Sequence, residues 1–156
     1  MITKISNCSP IQVLVEDLRY VKPSLSEMLR PSMQTLKHIS VIIYVNDDND
    51  NPLFDILSEF EYMRSKNIIE TIAIEIVIMA DASCREGDDW GRLDEVLTTP
   101  GWFSLKRVSL AMKISSYNRN SYELGVALRK LPETQFPRLS SSNSVSFNFK
   151  VNSQRK

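Results

Sequence analysis

A short apolar phrase recurs along this chain, and its recurrence constrains the fold more than any other feature. Residues 36–41, 69–74 and 105–110 each place apolar residues at their first, fourth and sixth positions. A weaker copy occupies residues 8–13, and the four copies start 28, 33 and 36 residues apart. Such a period is typical of proteins in which one supersecondary unit stacks on the next. We therefore expect a repeat architecture.

Beyond each phrase, apolar residues occupy every second position, which is the period of a β-strand with one buried face. The alternation predicts four strands, at residues 36–45, 69–78, 105–114 and 145–151, and a weaker fifth strand near Ile11. Aligned on the phrase, the strands give four apolar columns, the first of which holds Ile39, Ile72, Val108 and Val145. The columns between them are mainly small or polar. We expect one face of the sheet to meet a core and the other to meet solvent or a partner.

The segments between the predicted strands have helical spacing and recognisable ends. Their start signals are Asn51 followed by proline, Asp89, and two capping boxes, Asn120 with Glu123 and Ser24 with Glu27. Their predicted ends are at Pro31, Asn67, Pro100 and Pro132. Residues 140–144 are interpreted as a loop that leads into the last strand.

Strands that alternate with helices run parallel, because a helical crossover returns the chain to the end of the sheet at which the previous strand began. A doubly wound sheet would bury both faces and make its central strands nearly continuous runs of Val, Ile and Leu. Only residues 72–78 approach such a run, and Glu75 interrupts it. We therefore expect an α/β fold: a short leucine-rich-repeat-like solenoid of parallel strands with helices on one face, forming a single domain over residues 1–156.

The chain resembles the leucine-rich-repeat-like C-terminal regions of F-box proteins from basidiomycete, mushroom-forming fungi. The likeness lies in residues 36–45, 51–78 with the run EYMRSKN, 90–97 with the run WGRLDEVL, 103–106, 128–132 and 136–139. It implies a horseshoe-like repeat domain that, in full-length relatives, presents a substrate to a ubiquitin-ligase complex. No F-box segment is visible in this sequence. Val45, Ile78 and Ile114 stand where typical leucine-rich repeats have asparagine after the strand.

Charge and composition narrow the classes of partner. Nineteen basic residues balance nineteen acidic ones, so the overall charge gives no reason to expect nucleic acid or an anionic membrane surface as a partner. No apolar run approaches the roughly 20 residues that span a bilayer, and the first residues lack a signal-peptide core. We expect a cytoplasmic or nuclear protein. Cys8 and Cys84 are too few for a disulfide framework.

The residue types needed for catalysis or metal binding are scarce. His38 is the only histidine, and the four glycines form no phosphate-binding motif. The acidic stretches, residues 46–51 and the group Asp81, Glu86, Asp88 and Asp89, are interpreted as turns and helix caps. Trp90 and Trp102 are interpreted as core residues. We expect no catalytic residue, no metal site and no cofactor, and hence no enzyme.

A basic strip on the open sheet face is the candidate binding site, where an acidic peptide could lie. Its predicted members are Lys106, Arg107, Lys113 and Lys150. The function that this indicates is a protein-interaction module whose partner is a protein or peptide. Two alternatives stay open. One is a small α/β enzyme with its site at the strand carboxyl ends, after Val45 and Ile78. The other is a non-functional receptor fragment whose uncapped apolar ends promote oligomerisation.

Overall fold

Five parallel strands form the sheet of this protein in the computed structural model, which describes residues 11–15, 24–46, 51, 53–79, 89–115 and 121–153. The strands are β1 Ile11–Val15, β2 His38–Val45, β3 Thr71–Ile78, β4 Arg107–Ile114 and β5 Ser146–Ser153. Their spatial order is β1-β2-β3-β4-β5, and every neighbouring pair is parallel. The predicted parallel α/β fold is confirmed, and the weak repeat near Ile11 does form a strand.

The phrases align in space as predicted for the first four strands. Ile11, Ile39, Ile72 and Val108 are successive register partners. The alignment of the last strand is wrong by two residues, because Phe147 and not Val145 lies opposite Val108. Both residues are apolar and two apart, so a period of two could not distinguish them. The hydrogen bond from Ser146 N–H to the Lys106 carbonyl fixes the true register.

Among the described residues, six short α-helices lie between and beside the strands, and a 3-10 turn, Arg30–Ser32, follows the first of them. The α-helices are α1 Leu25–Leu29, α2 Phe54–Met63, α3 Asp89–Thr98, α4 Ser121–Leu128, α5 Leu131–Thr134 and α6 Pro137–Ser141. The capping box of Ser24 and Glu27 is present at the start of α1. Asn51 lies two residues before the N-cap position of α2, which is Leu53, and its side chain accepts from Leu53 N–H. Gly101, with φ of 127°, follows α3 in a conformation that favours glycine.

The last connection differs from its prediction. The helix expected to reach Leu131 ends at Leu128, and Pro132 lies in the first turn of α5 instead of stopping a helix. Ser140 and Ser141, expected in a loop, belong to α6. The predicted capping residue Asn120 lies outside the described residues.

One hydrophobic core joins the helices to a single face of the sheet. It contains the inward residues of β2, β3 and β4 together with buried residues of the helices, among them Phe60, Leu93 and Leu139. Trp90 and Trp102 are buried, as expected, and the Trp102 indole donates to the Val96 carbonyl at 2.9 Å. The alternate residues of the same strands are only partly buried. They form the second face, which we call the open face.

Candidate partner-binding face

The open face of β2–β4 changes character from one end of the strands to the other. At the amino-terminal end it presents polar residues, including the exposed His38 opposite Thr71. At the carboxyl-terminal end of β2 and β3 it presents Ile42, Tyr44 and Val77, all partly exposed. Apolar side chains beside charged ones on an accessible sheet are a common composition for a protein contact surface.

A salt bridge crosses the centre of the open face. The Lys113 ammonium lies 2.7 Å from Glu75 Oε1, and their side chains are 42% and 28% exposed. Lys113 is the register partner of Val77, so its side chain reaches diagonally across the strand pair. This pair explains why a glutamate can interrupt the apolar run of β3.

A second charge cluster lies along the amino-terminal edge of the sheet. Glu70 is held between Lys106, at 2.7 Å, and Lys37, at 2.9 Å. Hydrogen bonds from Lys106 and then Lys37 lower the pKa of the Glu70 carboxyl from 4.5 to about 2. Because these residues precede β2, β3 and β4, the cluster joins the starts of three consecutive strands.

The four cations of the predicted strip are not equivalent. Lys106 and Lys113 each pair with a carboxylate, whereas Arg107 and Lys150 have no ion pair among the described residues. Lys150 lies opposite Ala111 and not opposite Lys113, because of the two-residue shift of β5. Arg107 is exposed at the amino-terminal end of β4. The unpaired positive charge of the strip is therefore at Arg107 and Lys150.

The charge of this region differs from that of the chain. Its described charged members are five cations, Lys37, Lys106, Arg107, Lys113 and Lys150, and two carboxylates, Glu70 and Glu75. The balance is three positive charges, while the chain as a whole has a formal net charge of zero. Such a local excess favours an acidic partner by electrostatic complementarity.

Two buried polar residues hold the helix ends in place behind this face: Asp94, which the sequence did not single out, and Asn67, which it predicted as a helix end. Asp94, 3% exposed, accepts from Leu139 N–H at 2.8 Å and from Arg138 N–H at 3.0 Å. It thereby caps α6 from a neighbouring helix. Asn67 donates to the Met63 carbonyl at the end of α2 and accepts from Ile69 N–H. The sequence near α6 offers one hint of this role: α6 starts at Pro137, and its own N-cap residue makes no side-chain hydrogen bond, so the cap has to come from elsewhere in the chain.

The alternative of an enzyme site at the strand carboxyl ends meets few described residues. Most of the acidic residues that follow Val45 and Ile78 lie within residues 47–50 and 81–88, which are outside the described residues. Asp89 pairs with Arg92 at 3.3 Å and accepts a hydrogen bond from Asn51. In the part of the chain that the structure describes, no three or more His, Cys, Asp or Glu side chains are grouped to hold a metal ion.

A cavity among the described residues lies on the helix layer and not at the strand ends. It has a volume of about 170 Å³ and is lined by Glu61, Arg64, Arg92, Glu95, Val96 and Thr99. Within the lining, Arg92 forms a salt bridge with Glu61, and it also pairs with Asp89 outside the lining. Charged and shallow, it lacks the apolar lining usual for a small-molecule site.

Comparisons of the chain with protein-family models, with curated proteins and with solved structures find no match. Among the described helices, none is both long enough and apolar enough to cross a membrane.

Proposed function

We propose that this chain is a protein-interaction module, a short leucine-rich-repeat-like solenoid resembling the substrate-recognition part of an F-box ubiquitin-ligase receptor. One observation carries the proposal: in the described part of the chain the helices share a core with one face of the parallel sheet, and the residues of the other face are partly or fully exposed across β2, β3 and β4. A solenoid uses such a face to bind a partner.

The order of the elements supports the solenoid. Each strand pairs with the next strand in sequence, and α1 packs on α2, α2 on α3, and α3 on α6. A stack in which every unit contacts only its neighbours produces this pattern. The resemblance to F-box protein C-terminal regions supports a protein substrate as the partner, held in a cytoplasmic or nuclear complex. Neither nucleic acid nor a membrane is proposed as a ligand, and no catalytic step is assigned.

Affinity capture with mass spectrometry tests the binding role. The informative variant is the double charge reversal Arg107→Glu with Lys150→Glu, because within the described ranges neither cation has an ion pair that the change would break. Reversing Lys106 or Lys113 would leave Glu70 or Glu75 beside a new carboxylate and would disturb the strands themselves. The matched control is Arg129→Glu with Lys130→Glu, two exposed cations beyond the end of α4.

We expect the wild type and the control to enrich the same protein partner, and the open-face variant to lose at least about tenfold of that signal. Equal enrichment by all three proteins would contradict a role for this end of the open face. Failure of the wild type to enrich any protein over bare resin in extracts from its own source would contradict the interaction module as a whole.

A further inference from the structure

The last strand has a neighbour on one side only in the described part of the chain. Ser146 N–H donates to the carbonyl of Lys106, the residue before β4, and backbone groups of successive strand residues point to alternate sides. The N–H and C=O groups of Phe147, Phe149 and Val151 therefore face the unpaired edge. β5 offers eight residues of regular strand for pairing.

The core is open at this same edge. Phe147, Phe149 and Val151 point inward but are only partly buried, whereas the inward residues of β2, β3 and β4 are at most 7% exposed. The buried ring of Phe136 contacts Phe147 and Phe149, with centroids 5.3 and 6.3 Å apart. A cluster of aromatic side chains therefore extends to the edge strand and is partly exposed to solvent there.

Most features that normally protect an edge strand are missing from β5, and Lys150 is the exception. Proteins blunt exposed edges with proline, bulges, short strands, lysine or other charged side chains, and charged residues that point inward. β5 contains no proline, pairs with β4 in an unbroken register over eight residues, and has only apolar residues at its inward positions 147, 149 and 151. Its one charged residue, Lys150, lies at an outward position.

We propose that β5 pairs antiparallel with β5 of a second copy of this chain, across a two-fold axis at Phe149. This inference does not depend on the proposed function. Phe149 then faces Phe149 of the partner subunit, and Phe147 faces Val151 of the partner subunit. The exposed parts of all three inward side chains are then buried against their counterparts. The helix layers of both copies lie on the same side of a continuous sheet.

The register that pairs the apolar residues with each other also keeps like charges apart. A second copy of the chain therefore fits this edge. With the axis at Phe149, Lys150 lies opposite Asn148 of the partner subunit, so no like charges oppose each other directly. The residues paired across the axis, Phe147, Phe149 and Val151, are those whose backbone N–H and C=O groups face the edge. Each pair can therefore form the closely spaced hydrogen bonds of an antiparallel ladder. The contact is self-complementary and closes at two subunits.

Sedimentation velocity on the full chain, over about 1 to 200 µM, tests the dimer with a matched pair of variants. Val151→Pro removes an N–H that faces the edge and leaves the ladder with β4 intact, while Val151→Ala trims the side chain but keeps the N–H. We expect the wild type and Val151→Ala to form dimers, and Val151→Pro to associate at least about tenfold more weakly than Val151→Ala. A wild type that stays monomeric, equal association of the two variants, or growth beyond the dimer would overturn the proposal.

Amide hydrogen exchange on the wild type gives a second measurement that needs no variant. The N–H groups of Phe147, Phe149 and Val151 should exchange more slowly as the protein concentration rises. Those of Asn148 and Lys150 already face β4 and serve as internal controls with little dependence on concentration. If the three edge amides exchange at the same rate at low and high concentration, β5 does not pair with a second copy.

Discussion

The centre of the sheet and its last strand follow the same sequence pattern but reach different depths of burial. β2, β3 and β4 each lie between two strands, and their inward residues are nearly inaccessible. β5 has the same alternation, yet Phe147, Phe149 and Val151 stay partly exposed. The difference teaches that alternation decides which face turns inward, whereas neighbouring elements decide how completely that face is covered.

The largest expected effect compares one substitution in both regions. Phe60→Ala, in the fully buried centre of the core, should lower the free energy of unfolding by about 3–5 kcal/mol. Phe149→Ala should lower it by about half as much, since part of its ring is already in water. Urea unfolding at low protein concentration, where association is negligible, measures both. Equal losses would remove the distinction between the two regions.

The second largest expected effect concerns Asp94, which connects α3 to α6. Asp94→Ala leaves the N–H groups of Arg138 and Leu139 without their acceptor, and we expect a loss of about 2–3 kcal/mol in unfolding free energy. Asp94→Asn keeps one carbonyl acceptor and should lose less. Exposed Glu133→Ala, on neighbouring α5, is a matched control that we expect to be within about 0.5 kcal/mol of the wild type. A neutral Asp94→Ala would show that α6 does not need this cap.

A smaller effect concerns the ion pair on the open face of the central strands. A double-mutant cycle with Glu75→Gln and Lys113→Met should give a coupling energy of about 0.2–1 kcal/mol, because both side chains are partly solvated. The coupling should fall as salt is added. A coupling that is zero at low salt would mean that the two strands are held by the ladder and the core alone.

The smallest effect is the charge cluster that joins β2, β3 and β4 but does not extend to β5, where Val145 takes the corresponding place. The folded pKa of Glu70 is lowered to about 2 from 4.5, so its stabilising effect is complete above pH 4.5 and is lost as pH falls through about 2. Glu70→Gln should therefore lower Tm slightly at pH 6 and not at pH 2. A Tm difference independent of pH would contradict this assignment.

Much of the fold could be predicted because the core pattern is local. The starts of the repeats, the inward columns of β2–β4 and the capping box at Ser24 are all set by residues close in sequence. The register of β5 could not be predicted, since Val145 and Phe147 satisfy the same period. The helices after Leu128 were missed because the cap of α6 comes from Asp94, which is 44 residues away in sequence.

The binding face was predictable in outline but not in detail. The sequence placed Lys106, Arg107, Lys113 and Lys150 on or beside one face of the sheet. It could not show that Glu70 and Glu75 neutralise two of them, because these contacts join different strands. The binding role of these four residues stays a prediction, with Arg107 and Lys150 as its sharpest test.

The sequence by itself determined the parallel α/β architecture and the side of each strand that faces the core, because periodicity is a property of a single strand. Only the tertiary structure decided the alignment of β5, the pairing of the charges and the incomplete cover of the last strand. Each of these depends on which residues of distant segments come into contact. The free energy of such a contact depends on both segments, so neither segment determines it alone.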